Sequence, residues 1–232
     1  MANKAKTQEQ APEQVIENAL GETQSFFEKN WKTIVVAVAA VVVVVGGWFL
    51  YNNVYVQGQS EKASTEMFAA QQLFAAEQWD VALNGDGTTA GFLEVIDNYG
   101  VSAEANLANY YAGICYLNLG DKENAKKYLA AYKSTKGIHN AVINAQSYGL
   151  QGDIMCDEQN YEGAVAMYKK AVSESDNSLT APMYLKKMGL AYEALGNYAE
   201  ALAAYKTIED KYPTSMEGRD ITKYIGAVEQ LQ

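Results

Sequence analysis

PMYLKKMGLAYEALGNYAEALAAYKTIEDKYPTS, residues 182–215, is the stretch that decides the fold. Small residues, Gly189 and Ala201, stand at positions 8 and 20 of this 34-residue frame, and large ones, Tyr192 and Tyr205, at positions 11 and 24. Gly196-Asn197 supplies a turn between the two halves, and Pro213 ends the second. The spacing predicts two antiparallel helices. Small residues let their backbones approach where they cross, and large ones fill the space beside the crossing.

The same frame recurs upstream. Asn106 to His139 and Ala145 to Ser178 align with it without gaps, placing Gly113 and Gly152 at position 8 and Ala125 and Ala164 at position 20. Tyr116 and Met155 stand at position 11, and Leu129 and Tyr168 at position 24. Tyr161 and Tyr198 share position 17, and Gly120-Asp121 supplies a second turn. The repeating glycines lie 39 and 37 residues apart, the extra residues falling at Asn140 to Asn144 and Leu179 to Ala181. One pair cannot bury both of its faces, so pairs are expected to stack into an α-solenoid. Upstream, Ala63 to Trp79 and Gly91 to Tyr99 read as helices flanking a turn at Asn84-Gly85-Asp86-Gly87, which makes 61–99 a degenerate first repeat with an enlarged turn. Downstream, Ile221, Tyr224, Ile225, Val228 and Leu231 mark a capping helix within 217–232.

This pattern resembles the tetratricopeptide repeat family over at least residues 106–215, best at Leu185, Met188, Gly189, Tyr192, Ala201, Tyr205, Ile208 and Pro213. Two frames lack the closing proline and the frames are separated by insertions. The resemblance implies an all-α fold that binds protein or peptide on a concave face lined by positions 2, 5, 9, 12 and 13 of each first helix. These are Leu107, Tyr110, Ile114, Leu117 and Asn118, then Gln146, Gly149, Asp153, Cys156 and Asp157, then Met183, Lys186, Leu190, Glu193 and Ala194. Only Lys186 suits the carboxylate clamp known in the family, and Asp153 and Asp157 would repel a terminal carboxylate, so no such clamp is expected. The lining suits an extended peptide or a partner helix with apolar and basic residues. The plainer alternative is that Leu107, Ile114 and Leu117 pack against neighbouring helices.

Ahead of the repeats, no charge occurs from Thr33 to Ser60, and Ile34 to Tyr51 is apolar throughout, broken only by Gly46-Gly47. Eighteen helical residues rise about 27 Å, close to the thickness of a bilayer core. Trp31 lies at one end and Trp48, Tyr51 and Tyr55 at the other, as interface aromatics do. The run is too long, and its exit too bulky, for a cleaved signal peptide, and it lacks the polar face of a core helix. A transmembrane helix is therefore expected at 33–51, between a tail at 1–32 and a linker at 52–60, with the repeat domain at 61–232. In the tail, Val15, Ile16, Leu20, Phe27 and Trp31 recur at helical spacing after Pro12, which suits a helix on the membrane surface or one docking on a membrane partner. Lys29 and Lys32 before the span, against Lys62 after it, orient the tail toward the cytoplasm and the repeats across the inner membrane, in the periplasm.

The net charge of −10 argues against a nucleic-acid partner. Ala82 and Leu93 occupy ligand positions of any EF-hand loop built around Gly87, so residues 84–87 read as a plain turn. One histidine, His139, and two cysteines, Cys115 and Cys156, form no zinc constellation, and no phosphate loop or nucleophile elbow occurs. No metal, cofactor or enzymatic activity is expected. The cysteines read as small buried residues, with one bridge between them possible.

The order of features is similar to a bacterial inner-membrane family, the ancillary Sec-translocon subunits with periplasmic tetratricopeptide domains. Ala-Leu-Asn-Gly-Asp-Gly at 82–87 and Tyr-Leu-Asn-Leu-Gly at 116–120 resemble its Bacteroidetes versions. That likeness implies contact with the translocon and handling of secreted proteins. Two other functions fit the same order: a scaffold in a cell-envelope assembly, and a cytosol-facing membrane receptor.

Overall fold

The computed structural model describes residues 12–231, with side chains from Glu28 onward except Ile138 and His139. The tail face formed by Val15, Ile16, Leu20 and Phe27, and the His139 side chain, lie outside what is described. The chain forms two compact units, which divide between Val56 and Gln57.

The first unit is the helix α1, Pro12–Leu50, followed by a π-helical stretch, Tyr51–Val56. The valines from Val41 to Val45 are exposed all round, so no polar face interrupts the apolar run. The helix is long and apolar enough to cross a membrane. The expected linker at 52–60 is instead helical: Tyr51–Val56 is wound as a π-helix and Gln57 opens α2. The stretch holds no proline, and its one glycine, Gly58, does not suffice to stop a helix. The Asn53 amide donates to the Phe49 carbonyl (3.0 Å), occupying an acceptor that the wider π register shifts.

The second unit is all-helical among its described residues. First helices α2 (Gln57–Ala75), α5 (Ala103–Asn118), α7 (Ile138–Asp157) and α9 (Ala181–Ala194) alternate with second helices. The second helices are the broken pair α3 (Trp79–Asn84) and α4 (Phe92–Asn98), then α6 (Lys122–Ala131), α8 (Tyr161–Glu174) and α10 (Tyr198–Lys211). A last helix, α11 (Ile221–Glu229), packs on α10. Successive pairs stack, giving the solenoid.

What holds each of the three regular pairs is a direct contact between frame positions 8 and 24. A Cβ placed on Gly113 would lie 2.6 Å from Leu129 Cγ; on Gly152, 2.6 Å from Tyr168 Cε1; on Gly189, 2.3 Å from Tyr205 Cε1. The large residue of the second helix therefore lies on the bare backbone of the first. Ala125, Ala164 and Ala201 are fully buried at the same crossings.

The turns within pairs are equally regular. Glu77, Gly120, Gln159 and Gly196 all have positive φ, between 59° and 83°. In each, that residue's N–H bonds the carbonyl three back and the next N–H bonds the carbonyl five back, as in Gly196 to Glu193 and Asn197 to Tyr192. Two of the four sites carry a side chain where glycine would be unstrained.

The first repeat departs from expectation. Its helices turn tightly at 76–78, and the 85–91 loop interrupts the second helix instead of enlarging the turn. The Asp86 carboxylate accepts from the N–H groups of Thr88 and Thr89 and from the Thr88 hydroxyl, at 2.7–2.9 Å. These bonds, that to the Thr88 side chain foremost, lower its pKa to about 2. A Cβ on Gly91 would lie 2.4 Å from the Leu83 carbonyl oxygen, so the loop closes on itself. Phe92 then fills the gap, stacked on Tyr111 at 5.1 Å and edge-on to Phe74 at 6.1 Å. The extra residues at 140–144 are not loop but an added turn of α7, where buried Asn144 receives the Tyr132 hydroxyl (2.7 Å) and donates to the Thr135 carbonyl (2.9 Å).

In α11, Ile221, Ile225 and Val228 are buried, whereas a Cβ on Gly226 would meet nothing within 4 Å. Counted in a frame begun at Arg219, Gly226 stands at position 8, the place that elsewhere receives a second-helix side chain.

Gly189→Ala is expected to destabilise the chain by about 1–3 kcal/mol through overpacking against Tyr205. Gly226→Ala should stabilise it by roughly 0.5–1 kcal/mol, because the space is open and alanine favours the helix. Denaturant unfolding of the two variants checks the opposite signs. Because Asp86's pKa is depressed on folding, its stabilising bonds are complete above the ordinary carboxylate value of 3.8 and are lost as pH falls through about 2. Amide shifts of Thr88 and Thr89, followed by NMR, should titrate near 2 and not near 3.8.

Candidate ligand-binding face

The residues expected on the concave face fall into three groups. Some are structural. Tyr110 is buried on α5 and donates to Gln146 Oε1 on α7 (2.8 Å), so both tie one repeat to the next. Burial pushes the Tyr110 phenol above its ordinary pKa, keeping it a donor. Ile114, with Leu107 and Leu117, is half-buried and packs against a core of Tyr110, Ala125, Leu129, Tyr132 and Ile154. Met183 packs against Ala145, Tyr168 and Tyr184 in the next core.

The second group is the acids, and each already has a partner. Asp153 takes both bonds of the Lys187 ammonium (2.7 and 2.8 Å) and the Tyr168 hydroxyl (2.7 Å). Glu193 accepts the Tyr205 hydroxyl. Exposed Asp157 pairs with Lys122 of the preceding repeat at 2.8 Å. The phenols of Tyr168 and Tyr205 are raised in pKa, first by burial and then by these bonds, so both stay protonated donors. The acids are thus built into the fold, and the face is less negative than its composition suggests.

The third group remains available. Leu190 is exposed on α9. Asn118 is exposed at the end of α5, with its amide bonded to the Ile114 carbonyl (2.9 Å) and its side-chain oxygen open. The Lys186 ammonium lies 4.4 Å from the Tyr224 ring of α11, a cation–π contact that leaves its N–H groups free to donate.

The structure does not gather all ten residues into one pocket. It does bring Asp153 and Leu190 together around a cavity of about 200 Å³, completed by Cys156, Tyr161, Tyr168, Lys187 and Ala191. Lys187 and Tyr161 escaped the sequence reading. Lys187 sits one residue beyond a lining position, and Tyr161 stands at position 17 of its frame, on the second helix. The cavity has an apolar wall, a cation already paired with Asp153 and a thiol that accepts from Tyr168 at 3.4 Å. It can seat one apolar side chain and offer polar contacts to the backbone that carries it. Cys115 is buried in α5, its thiol pushed up to about 12 by burial, and both cysteines are free. Among the described residues no group of three His, Cys, Asp or Glu is placed to hold a metal.

With this geometry, comparison with known proteins is informative. The family described as tetratricopeptide repeat-like domain matches residues 24–224. The chain belongs to that family. The matched region takes in the apolar stretch of α1 as well as the repeats. No curated protein matches the chain. Among solved structures, one titled "Crystal structure of MamA protein" is similar with a TM-score of 0.54 at 16% identity, over 74% of this chain and 84% of that one. A second, "Crystal structure of MamA", reaches 0.48 at 15% identity over 70% and 93%. At such identity the first likeness speaks to fold alone: helical repeats of the same kind. The repeat domain is a protein-interaction module.

Tyr168→Phe is expected to cost about 1.5 kcal/mol, the low end for a hydrogen bond to a charged group, because Lys187 continues to hold the carboxylate. Denaturant unfolding reads the loss, and an unchanged midpoint would show that the hydroxyl adds nothing to the Lys187–Asp153 pair.

Proposed function

We propose that this protein is a membrane-anchored binding module that serves secretion, held in the inner membrane by the apolar stretch of α1 and receiving polypeptide on its repeats in the periplasm. The observation that carries the reading is the union of the two parts: a run of exposed valines that suits an apolar surrounding, and a family match that spans this run together with the repeats. Lys29 and Lys32 against Lys62 favour the outward orientation of the repeats. The likeness in feature order to the ancillary subunits of the Sec translocon suggests that complex as the membrane partner. The client would lie across Asn118, Lys186 and Leu190 and place an apolar side chain in the cavity beside Asp153 and Lys187.

A second reading, a scaffold with one fixed partner, draws on the way Asp153, Asp157 and Glu193 are satisfied within the fold. A face on which Asp153 and Asp157 are already paired with lysines and Glu193 holds a phenol discriminates more by shape than its composition suggests.

Photo-crosslinkers placed at Leu190 and at Asn118 in living cells test both. Translocon subunits together with many exported chains are expected. One stoichiometric envelope protein would replace this reading with the scaffold, and cytosolic proteins alone would reverse the orientation and make the chain a cytosol-facing receptor. The repeats should resist protease in intact cells and be digested once the outer barrier is opened.

A further inference from the structure

Leu179 and Met216 are the most exposed large apolar side chains of the described repeat domain, at 73% and 83%. They occupy the same place, position 35, of successive frames. Each lies in a connection from a second helix to the next first helix, as does Val101, which is 47% exposed. Antiparallel pairing puts these connections on one edge of the solenoid and the tight turns at 77, 120, 159 and 196 on the other. All first helices begin on that same edge, α2 among them. The chain therefore enters the repeats at Gln57 on the edge that carries Leu179 and Met216, and the residue before it, Val56, closes the segment that follows the apolar helix.

The two loops suit a bilayer surface. Asn177 Oδ1 accepts the N–H groups of Leu179 (2.8 Å) and Thr180 (2.9 Å), and the Thr180 hydroxyl donates to the Ser175 carbonyl (2.9 Å). In the second loop the Ser215 hydroxyl donates to the Tyr212 carbonyl (2.8 Å) and accepts the Gly218 N–H (2.9 Å). Several polar groups behind each apolar tip are thus satisfied internally, which lowers the cost of leaving water. Two nearby acids are engaged within the fold: Asp176 accepts the Tyr212 hydroxyl, and Asp220 pairs with Lys223 at 2.7 Å, whereas Glu217, beside Met216, has no ion pair among the described residues. Lys223 thereby offsets the charge that Asp220 would present to lipid phosphates.

We propose that this edge rests on the phospholipid surface, with Leu179 and Met216 inserted at headgroup depth. The inference rests on the membrane-anchor reading. Two side chains alone bind a membrane weakly, but the anchor confines the domain near the bilayer and raises the effective lipid concentration. Insertion is apolar, so it should persist in zwitterionic lipid and at high salt.

The test uses the unaltered full chain in phosphatidylcholine vesicles containing a phosphatidylcholine analogue with a photoreactive diazirine near the glycerol end of its acyl chain. After illumination, adducts are located by mass spectrometry. Labelling is expected within 34–50 and at Leu179 and Met216, the latter at least about fivefold above Leu119 on the opposite edge and Phe68 on α2, as depth-limited insertion requires. Label in 34–50 with loops no higher than Leu119 would overturn the inference and leave the anchor standing. Label absent from 34–50 would sink the anchor reading and this one with it. Equal labelling of Leu119 and Phe68 would mean unspecific adsorption and would also overturn it. A Leu179→Asp, Met216→Asp double variant should lose label in both loops and keep it in 34–50.

Discussion

The fold depends, in its three regular repeats, on the contact between a glycine on the first helix and the large side chain sixteen residues later on its partner. Leu129, Tyr168 and Tyr205 lie where a Cβ of Gly113, Gly152 and Gly189 would be. Because the ring or isobutyl group replaces a missing side chain, the helices cross close together and the alanines at Ala125, Ala164 and Ala201 are sealed from water. The tight turns are a corollary: helices this close leave room for one left-handed residue, and four turns adopt the same hydrogen-bond pattern to supply it. In the first repeat the register of the turn survives while the second helix breaks, so the turn is the more conserved geometry within this one chain.

Tyrosine does a second task in this scheme. Of the 17 tyrosines, Tyr168 and Tyr205 place the ring on the glycine and carry the hydroxyl across to an acid of the first helix, Asp153 or Glu193. The aromatic face supplies apolar burial, and the phenol, raised in pKa by that burial, supplies a directional bond to a carboxylate. Between repeats, Tyr212 likewise donates to the Asp176 carboxylate, and Tyr110 donates to the Gln146 amide oxygen. Lys122, Lys126 and Lys187 reinforce the stack by pairing with acids of a neighbouring repeat, although their partial exposure keeps each pair weak.

The helical pairs were legible because small and large residues repeat at fixed spacing, and helix–helix crossing has few solutions. That position 8 touches position 24 was not legible, since the frame places both residues without saying which pairs meet. The stretch at 52–60 looked like a linker through its polarity, but polarity does not stop a helix when proline is missing. The loop at 85–91 misled for a different reason: Gly85 and Gly87 mark a change of direction, and a break within a helix gives the same signal as a turn between helices. On the binding face, residue type gave the positions, but the pairing of Asp153 with Lys187 and of Glu193 with Tyr205 depends on neighbouring helices. A row of acids in the sequence therefore became a set of internal ties, with Leu190 and Asn118 left outward.

The vacant glycine on α11 bears on how such arrays grow. Inside the solenoid every such glycine is covered by the helix that follows it, whereas Gly226 has open space over its Cα. The helix is therefore already shaped to accept another: a duplicated second helix bearing leucine or tyrosine at the matching place would find its seat with no compensating change in α11. Lengthening by gene duplication would need to invent no new interface, only to repeat one, and α11 both covers the core beside α10 and presents a seat for another helix.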